Sequence, residues 1–219
     1  MRYHDNVPGI DRQRIDQALA DIEKYGDRFH GETVRFIRDT DLVIYLDLAS
    51  KVGGSGSVQL DDQSAARSAV KKGGLEVFDA AGFVRLNIAR ETIDTGGQRG
   101  IEGTFVHEGK HARDFALMLS TFSKGVEEKI FNPTAFQREY SAHLTAALYL
   151  MRRGGEYADE GVALGLLYEK GKKHCVNIKG IRARLRKNYR LTAETPGGLL
   201  NECSRPKIRS PRKKIFGIF

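Results

Sequence analysis

Residues 107–111 read HEGKH, and their two histidines can act together only if this stretch is an α-helix. Side chains four apart lie on one helical face about one turn from each other, so the imidazoles of His107 and His111 can reach a single tetrahedral metal ion, for which zinc is the natural candidate. Glu108 is rotated by one residue around the helix and points beside such a metal, where its carboxylate can take a proton from a metal-activated water. Ile101, Phe105, Ala112, Phe115, Ala116 and Leu119 recur at helical spacing around the motif. They give the helix an apolar back.

A catalytic zinc needs a third protein ligand and an open position. Asn132-Pro133 reads as an N-cap followed by proline at the first helical position, and the segment from there to about Arg153 is a good helix former. Glu139 and His143 stand four apart on it and share a face, so this face and that of His107 and His111, packed together, would close a metal site. Glu139 is the expected third ligand. His143 is expected either to orient a ligand by hydrogen bonding or to compete for the metal.

An HExxH helix followed by a second helix with a lone Glu resembles the glutamate-ligand zincins, or gluzincins. Within that group, HEGKHARDF and FQREYSAHLTAALYL are similar to the catalytic domain of anthrax lethal factor and to the zincin domains of bacterial polymorphic (RHS-type) toxins. The resemblance runs from about Phe83 to Arg153. It implies an α+β, zincin-like fold: a small mixed sheet, an HExxH catalytic helix and a mostly helical C-terminal half. It also implies a zinc metalloendopeptidase with His107, His111 and Glu139 as ligands and Glu108 as general base. Asp114, one turn beyond His111, would support a ligand. If the protein is an effector or toxin, an immunity protein would be a partner. Many gluzincins carry an Asp four residues after the ligand Glu. This chain has His143 there, so its role as support or ligand stays open. Such enzymes also use a Tyr or His on the oxyanion, for which Tyr149, Tyr157, Tyr168 and Tyr189 are candidates, while Tyr140 projects away from Glu139.

With 219 residues the chain is expected to form one domain over 1–190, mixed α/β to residue 100 and helical after it, followed by a basic tail at 191–219. Ile15, Ala18, Leu19 and Ile22 predict a first helix ended by Gly26. DLVIYLDLA predicts a central strand, and SVQLDD, after the turn-rich GGSGS, its hairpin partner. A helix is expected from Gln63 to Lys72, stopped by Gly73-Gly74. FVRLNIAR predicts a half-buried strand with Val84, Leu86 and Ile88 inward and Arg85 and Asn87 outward, whose free edge a peptide substrate could extend. IDTGGQRG is the expected flexible piece beside the site. The glycine pairs lack the trailing Lys-Ser or Lys-Thr of a phosphate loop.

No stretch is long and apolar enough to span a membrane, and the N-terminus lacks the apolar core of a signal peptide. The expectation is cytoplasmic synthesis, with secretion or injection by a non-classical route leaving no trace. From Lys172 to Phe219 there are fourteen Lys or Arg against Glu194 and Glu202, a net of +12 in a chain of +8, so residues 1–171 carry −4. Ile178, Ile181 and Leu185 form one helical stripe among these basic residues. Such a region can contact a polyanion, an anionic membrane surface or an acidic partner. Cys175 and Cys203 fit no metal-binding spacing, His174 beside Cys175 is not a catalytic pair, and His4 and His30 read as surface residues. The alternative to a peptidase is a non-enzymatic basic binding module for nucleic acid or an anionic surface, with an incidental or structural metal site.

Overall fold

The computed structural model describes residues 1–94, 97–125, 130–154, 162 and 164–199. Its sheet is built around two apolar runs. β2 (Val43–Asp47) buries Val43, Ile44 and Leu46, and β4 (Val84–Ala89) buries Val84, Leu86 and Ile88. Strands buried on both faces suit parallel pairing, and β2 and β4 run parallel with Ile44 opposite Leu86. The short β1 (Arg2–Tyr3) lies parallel to β2 on its other side.

β3 (Gly56–Leu60) pairs antiparallel with β4, so the strand order is β1-β2-β4-β3. This corrects the hairpin expected between DLVIYLDLA and SVQLDD. A parallel β2–β4 pair needs a long crossover, and β3, with α3 (Ala49–Val52) before it and α4 (Gln63–Lys72) after it, lies inside that crossover. The polar β3 forms one sheet edge. The edges therefore belong to β1 and β3, and FVRLNIAR is an internal strand.

Helices cover this mixed α+β framework. α1 (Gly9–Tyr25) buries the expected Ile15, Ala18, Leu19 and Ile22 and ends at Gly26. α2 (Arg28–Asp39) starts at a capping box in which His30 Nδ1 accepts from the Asp27 backbone and Asp27 accepts from His30 N. His30 is 1% exposed and its Nε2 meets the Thr145 carbonyl at 3.1 Å, so it is a core cap and not a surface residue. His4 is exposed, stacked on Tyr45. α4 spans the expected residues and stops at Gly73, φ +79°. α5 (Val77–Ala80) and α6 (Arg90–Asp94) flank β4.

The long α7 (Gly97–Ser123) carries HEGKH, and all six apolar residues read as its back are buried. Each contributes on the order of 1.5–3 kcal/mol for the larger side chains, which offsets the roughly 1 kcal/mol that a mid-helix glycine costs. The glycine within the motif has a use. A Cβ on Gly109 would stand 2.8 Å from Thr33 Cγ2 and 3.0 Å from Ile37 Cδ1, so its absence lets α2 press on α7 directly behind the histidines.

α8 (Ala135–Arg153) begins at Thr134, whose side chain accepts from Gln137 N while Gln137 Oε1 accepts from Thr134 N. The cap is thus two residues later than Asn132-Pro133, because the T-x-x-Q box satisfies two amides that Asn132 does not. α7 and α8 are fastened by a buried cluster in which Tyr149 Oη donates to Glu102 Oε2 at 2.5 Å and Arg153 Nε donates at 3.3 Å.

The expected helical C-terminal half contains a hairpin, β5 (Leu167–Lys170) with β6 (Lys173–Val176), before α9 (Ile178–Arg184) and a π-helical turn at Leu185–Tyr189. Ile181 and Leu185 pack with Ala147, Leu150, Leu166 and Leu167 into a second small core on α8, while Ile178, the third residue of the stripe, is 37% exposed. Beyond residue 190 the chain returns to the body: Leu199 is fully buried in the main core and its N–H donates to the Pro133 carbonyl. Packed chain therefore extends past 190, while Cys203 and the rest of the 200–219 stretch lie outside the described residues. Among the described residues no helix is long and apolar enough to cross a membrane.

Candidate metal centre

α7 and α8 bring four sequence-predicted residues together. His107 Nε2 and His111 Nε2 are 3.2 Å apart, His107 Nε2 is 3.5 Å from Glu139 Oε2, and His111 Nε2 is 3.4 Å from Glu139 Oε1. These separations exceed the roughly 2.7–2.9 Å of a charge-assisted hydrogen bond. Pair by pair they are close to the edge of a tetrahedron around zinc, about 3.3–3.4 Å for ligands at 2.0–2.1 Å, with the two Glu139 distances running to different oxygens of its carboxylate. The set of two imidazoles and one carboxylate also suits that ion. Glu139 Oε2 is buried without a hydrogen-bond partner, and so is His143 Nε2. Unmet buried polar atoms cost about 1–3 kcal/mol each, so two in one cluster mark a place shaped for a cation.

His143 faces the same group, and with His107 and Glu139 it forms a cluster that could hold a metal ion. Its ring centroid lies 4.6 Å from that of His107, and a ring nitrogen falls within 4.8 Å of the ligand atoms of His107 and Glu139. Asp114 does not support the histidines as expected. It pairs with Lys110 one turn earlier, and His111 Nδ1 is buried without a partner.

The charges follow from burial and neighbours. Burial alone would raise the Glu139 pKa, but the imidazoles of His107 and His111 outweigh it and hold the carboxyl well below the usual range. Burial, with the charges of His107 and Arg184, pushes the His143 imidazole down to about 3, so it is neutral at pH 7. Burial pushes Glu108 up to about 7 against the pull of His107, and Glu139 adds to the rise.

Two of these shifts act oppositely on the metal-free protein. Below pH 6.5 an unfolded His143 takes up a proton that the folded one refuses until about 3, which destabilises the fold as pH drops. Folded Glu108 takes up a proton from about 7 downward and its unfolded counterpart only near 4.5, which stabilises the fold over that interval. Between about pH 6.5 and 4.5 the two nearly cancel. The melting temperature of chelator-treated protein should be flat there, and in Glu108→Gln it should fall as pH is lowered. A flat profile in the variant would refute this assignment.

The centre sits in a cleft of about 700 Å³ lined by residues 53–58, by α7 and α8, and by Leu164, Leu166, Arg184 and Tyr189. Gly56 is the residue the sequence reading passed over as part of a turn. A Cβ there would lie 2.6 Å from Glu108 Cγ and 2.8 Å from Thr104 Cγ2, so only glycine lets β3 lie against the Glu108 side chain. Gly56→Val should displace Glu108 and lower turnover about a hundredfold with zinc content unchanged. Metal analysis beside a peptide assay checks this.

Of the tyrosines considered, Tyr149 is buried in the Glu102 cluster and Tyr168 is exposed on β5. Tyr140 packs with Phe136, and Tyr157 lies outside the described residues. Tyr189 alone of these lines the cleft, its ring 5.6 Å from that of His143. Burial and the Glu139 carboxylate push its phenol up to about 12, so it keeps its proton. The π turn that places it had no signal in the sequence. The His174–Cys175 pair sits on β6, away from this cleft's lining, with Cys175 half-buried and free.

No family model, curated protein or solved structure matches the chain.

Proposed function

We propose that the protein is a zinc-dependent metalloendopeptidase of the gluzincin type. The observation that carries this reading is the convergence of His107, His111 and Glu139, whose nearest atoms lie 3.2–3.5 Å apart, with the buried Glu108 beside them in the cleft lining. His107, His111 and Glu139 would hold the ion, leaving an open position. Zinc bound there supplies a Lewis acid that polarises a carbonyl and makes water nucleophilic at neutral pH.

The remaining work falls to the chain's own side chains. Glu108, with a pKa of about 7, is suited to accept a proton from the attacking water and return it to the leaving amine. Tyr189 keeps a phenolic proton to donate to the oxyanion. β3 has β4 on one side, and no other described strand pairs with its second edge. A peptide adding there by main-chain hydrogen bonds would run beside Glu108, because Gly56 brings that strand against it. His143, neutral and beside His107, is assigned a supporting role, with Glu139 as the third ligand.

The test is metal analysis of purified protein together with digestion of a denatured protein mixture, followed by mass spectrometry. One equivalent of zinc and chelator-sensitive cleavage at internal peptide bonds support the reading. Zinc without cleavage would turn it into a structural metal site.

A further inference from the structure

Arg184 ends α9 and lines the cleft on the α8 side, next to Tyr189 and His143. Its side chain is half-buried, its Nε is buried without a hydrogen-bond partner, and among the described residues no carboxylate forms an ion pair with it. A guanidinium cannot shed its charge, and a half-buried cation with no counter-ion among the described residues favours an anion beside it. None of the three carboxylates of the cleft lining pairs with it: Glu139 lies between two imidazoles, Glu108 lies under β3, and Glu91 accepts from Ala49 N. The other arginine of the lining, Arg138, is 8% exposed and lies over the Phe115 ring, 5.9 Å from its centroid.

The segment that carries Arg184 is strongly basic. Residues 164–190 hold nine Lys or Arg against Glu169 alone, and Lys179, Arg182, Arg186 and Lys187 are exposed on it. Their field draws an anionic chain toward the cleft, and a planar, fixed guanidinium matches a carboxylate in a bidentate pair.

We infer that Arg184 is a specificity residue that pairs with a substrate carboxylate close to the scissile bond, so that the protein selects acidic peptide segments or free C-termini. This rests on the peptidase reading for its substrate class but not for the anion site itself.

A proteome-derived peptide library, half of it with every carboxyl group amidated, separates the possibilities. Wild-type cleavage sites should show Asp or Glu enriched at one fixed position, or lie at a fixed distance from free C-termini. These two patterns tell the side-chain source from the terminal one. Amidation should suppress cleavage, and Arg184→Gln should erase the enrichment, raise KM for acidic peptides about 10–100-fold and leave zinc content unchanged. Arg184→Lys should recover part of the preference.

Capture of peptides from the same library on immobilised metal-free protein gives a readout without turnover. Acidic enrichment that disappears in Arg184→Gln, with no hydrolysis by the wild type, would keep the anion site and discard the peptidase. Cleavage without any carboxylate preference, or a preference that survives in Arg184→Gln, would overturn the inference. So would capture with no acidic enrichment.

Discussion

Glu108→Gln should reduce peptide hydrolysis by about 10²–10⁴-fold while the protein keeps its zinc. Gln fills the same space under Gly56 but cannot accept and return a proton, so the loss reports proton handling and not packing. Glu108 is not one of the three converging groups, and metal binding should not register the change. Steady-state kinetics on a quenched peptide, beside zinc analysis of the same preparation, gives both quantities. A variant that lost zinc would show Glu108 to be a ligand. One that kept most of the wild-type rate would end the peptidase mechanism.

The second large effect concerns the third ligand. Glu139→Ala should remove the metal and stop turnover, because it deletes one of the three converging groups and leaves His107 and His111 with no carboxylate between them. His143→Ala should weaken zinc binding or activity about 10–100-fold, as expected for a group that acts through the ligands. Competitive zinc titration of both variants, with circular dichroism to show that each is folded, decides the order. Loss of metal in His143→Ala with retention in Glu139→Ala would reverse the ligand assignment and remove the gluzincin reading. A His₃ set would then have to hold the ion.

The spacing that brings these groups together was readable because it is a property of single helices. Residues at i and i+4 share a face whatever the rest of the chain does. His107 with His111, and Glu139 with His143, could therefore be paired before any tertiary contact was known. The apolar back of α7 was equally legible, since Ile101, Phe105 and Leu119 repeat at 3.6 residues and all end in the core. Local chemistry also fixed the ends of α1 and α4 at Gly26 and Gly73.

What crosses between elements was not legible. Pairing of β3 with β4 instead of β2 is decided by which strands can be buried on both faces, and the one-dimensional pattern offers both neighbours alike. Whether Asp114 supports His111 or pairs with Lys110 depends on rotamers a single turn apart. The approach of Gly56 to Glu108 and of Gly109 to Thr33 joins residues about 50 and 75 positions apart, and a glycine in sequence does not say what lies against it. Arg184 and Tyr189 reach the cleft only because a second core of Leu166, Leu167, Ile181 and Leu185 docks on α8 and a π turn re-aims the chain after it. The sequence by itself determined the helical faces that could hold a metal. Only the tertiary structure decided what surrounds that metal position, because burial, charge and cleft shape arise from contacts between elements and not within them.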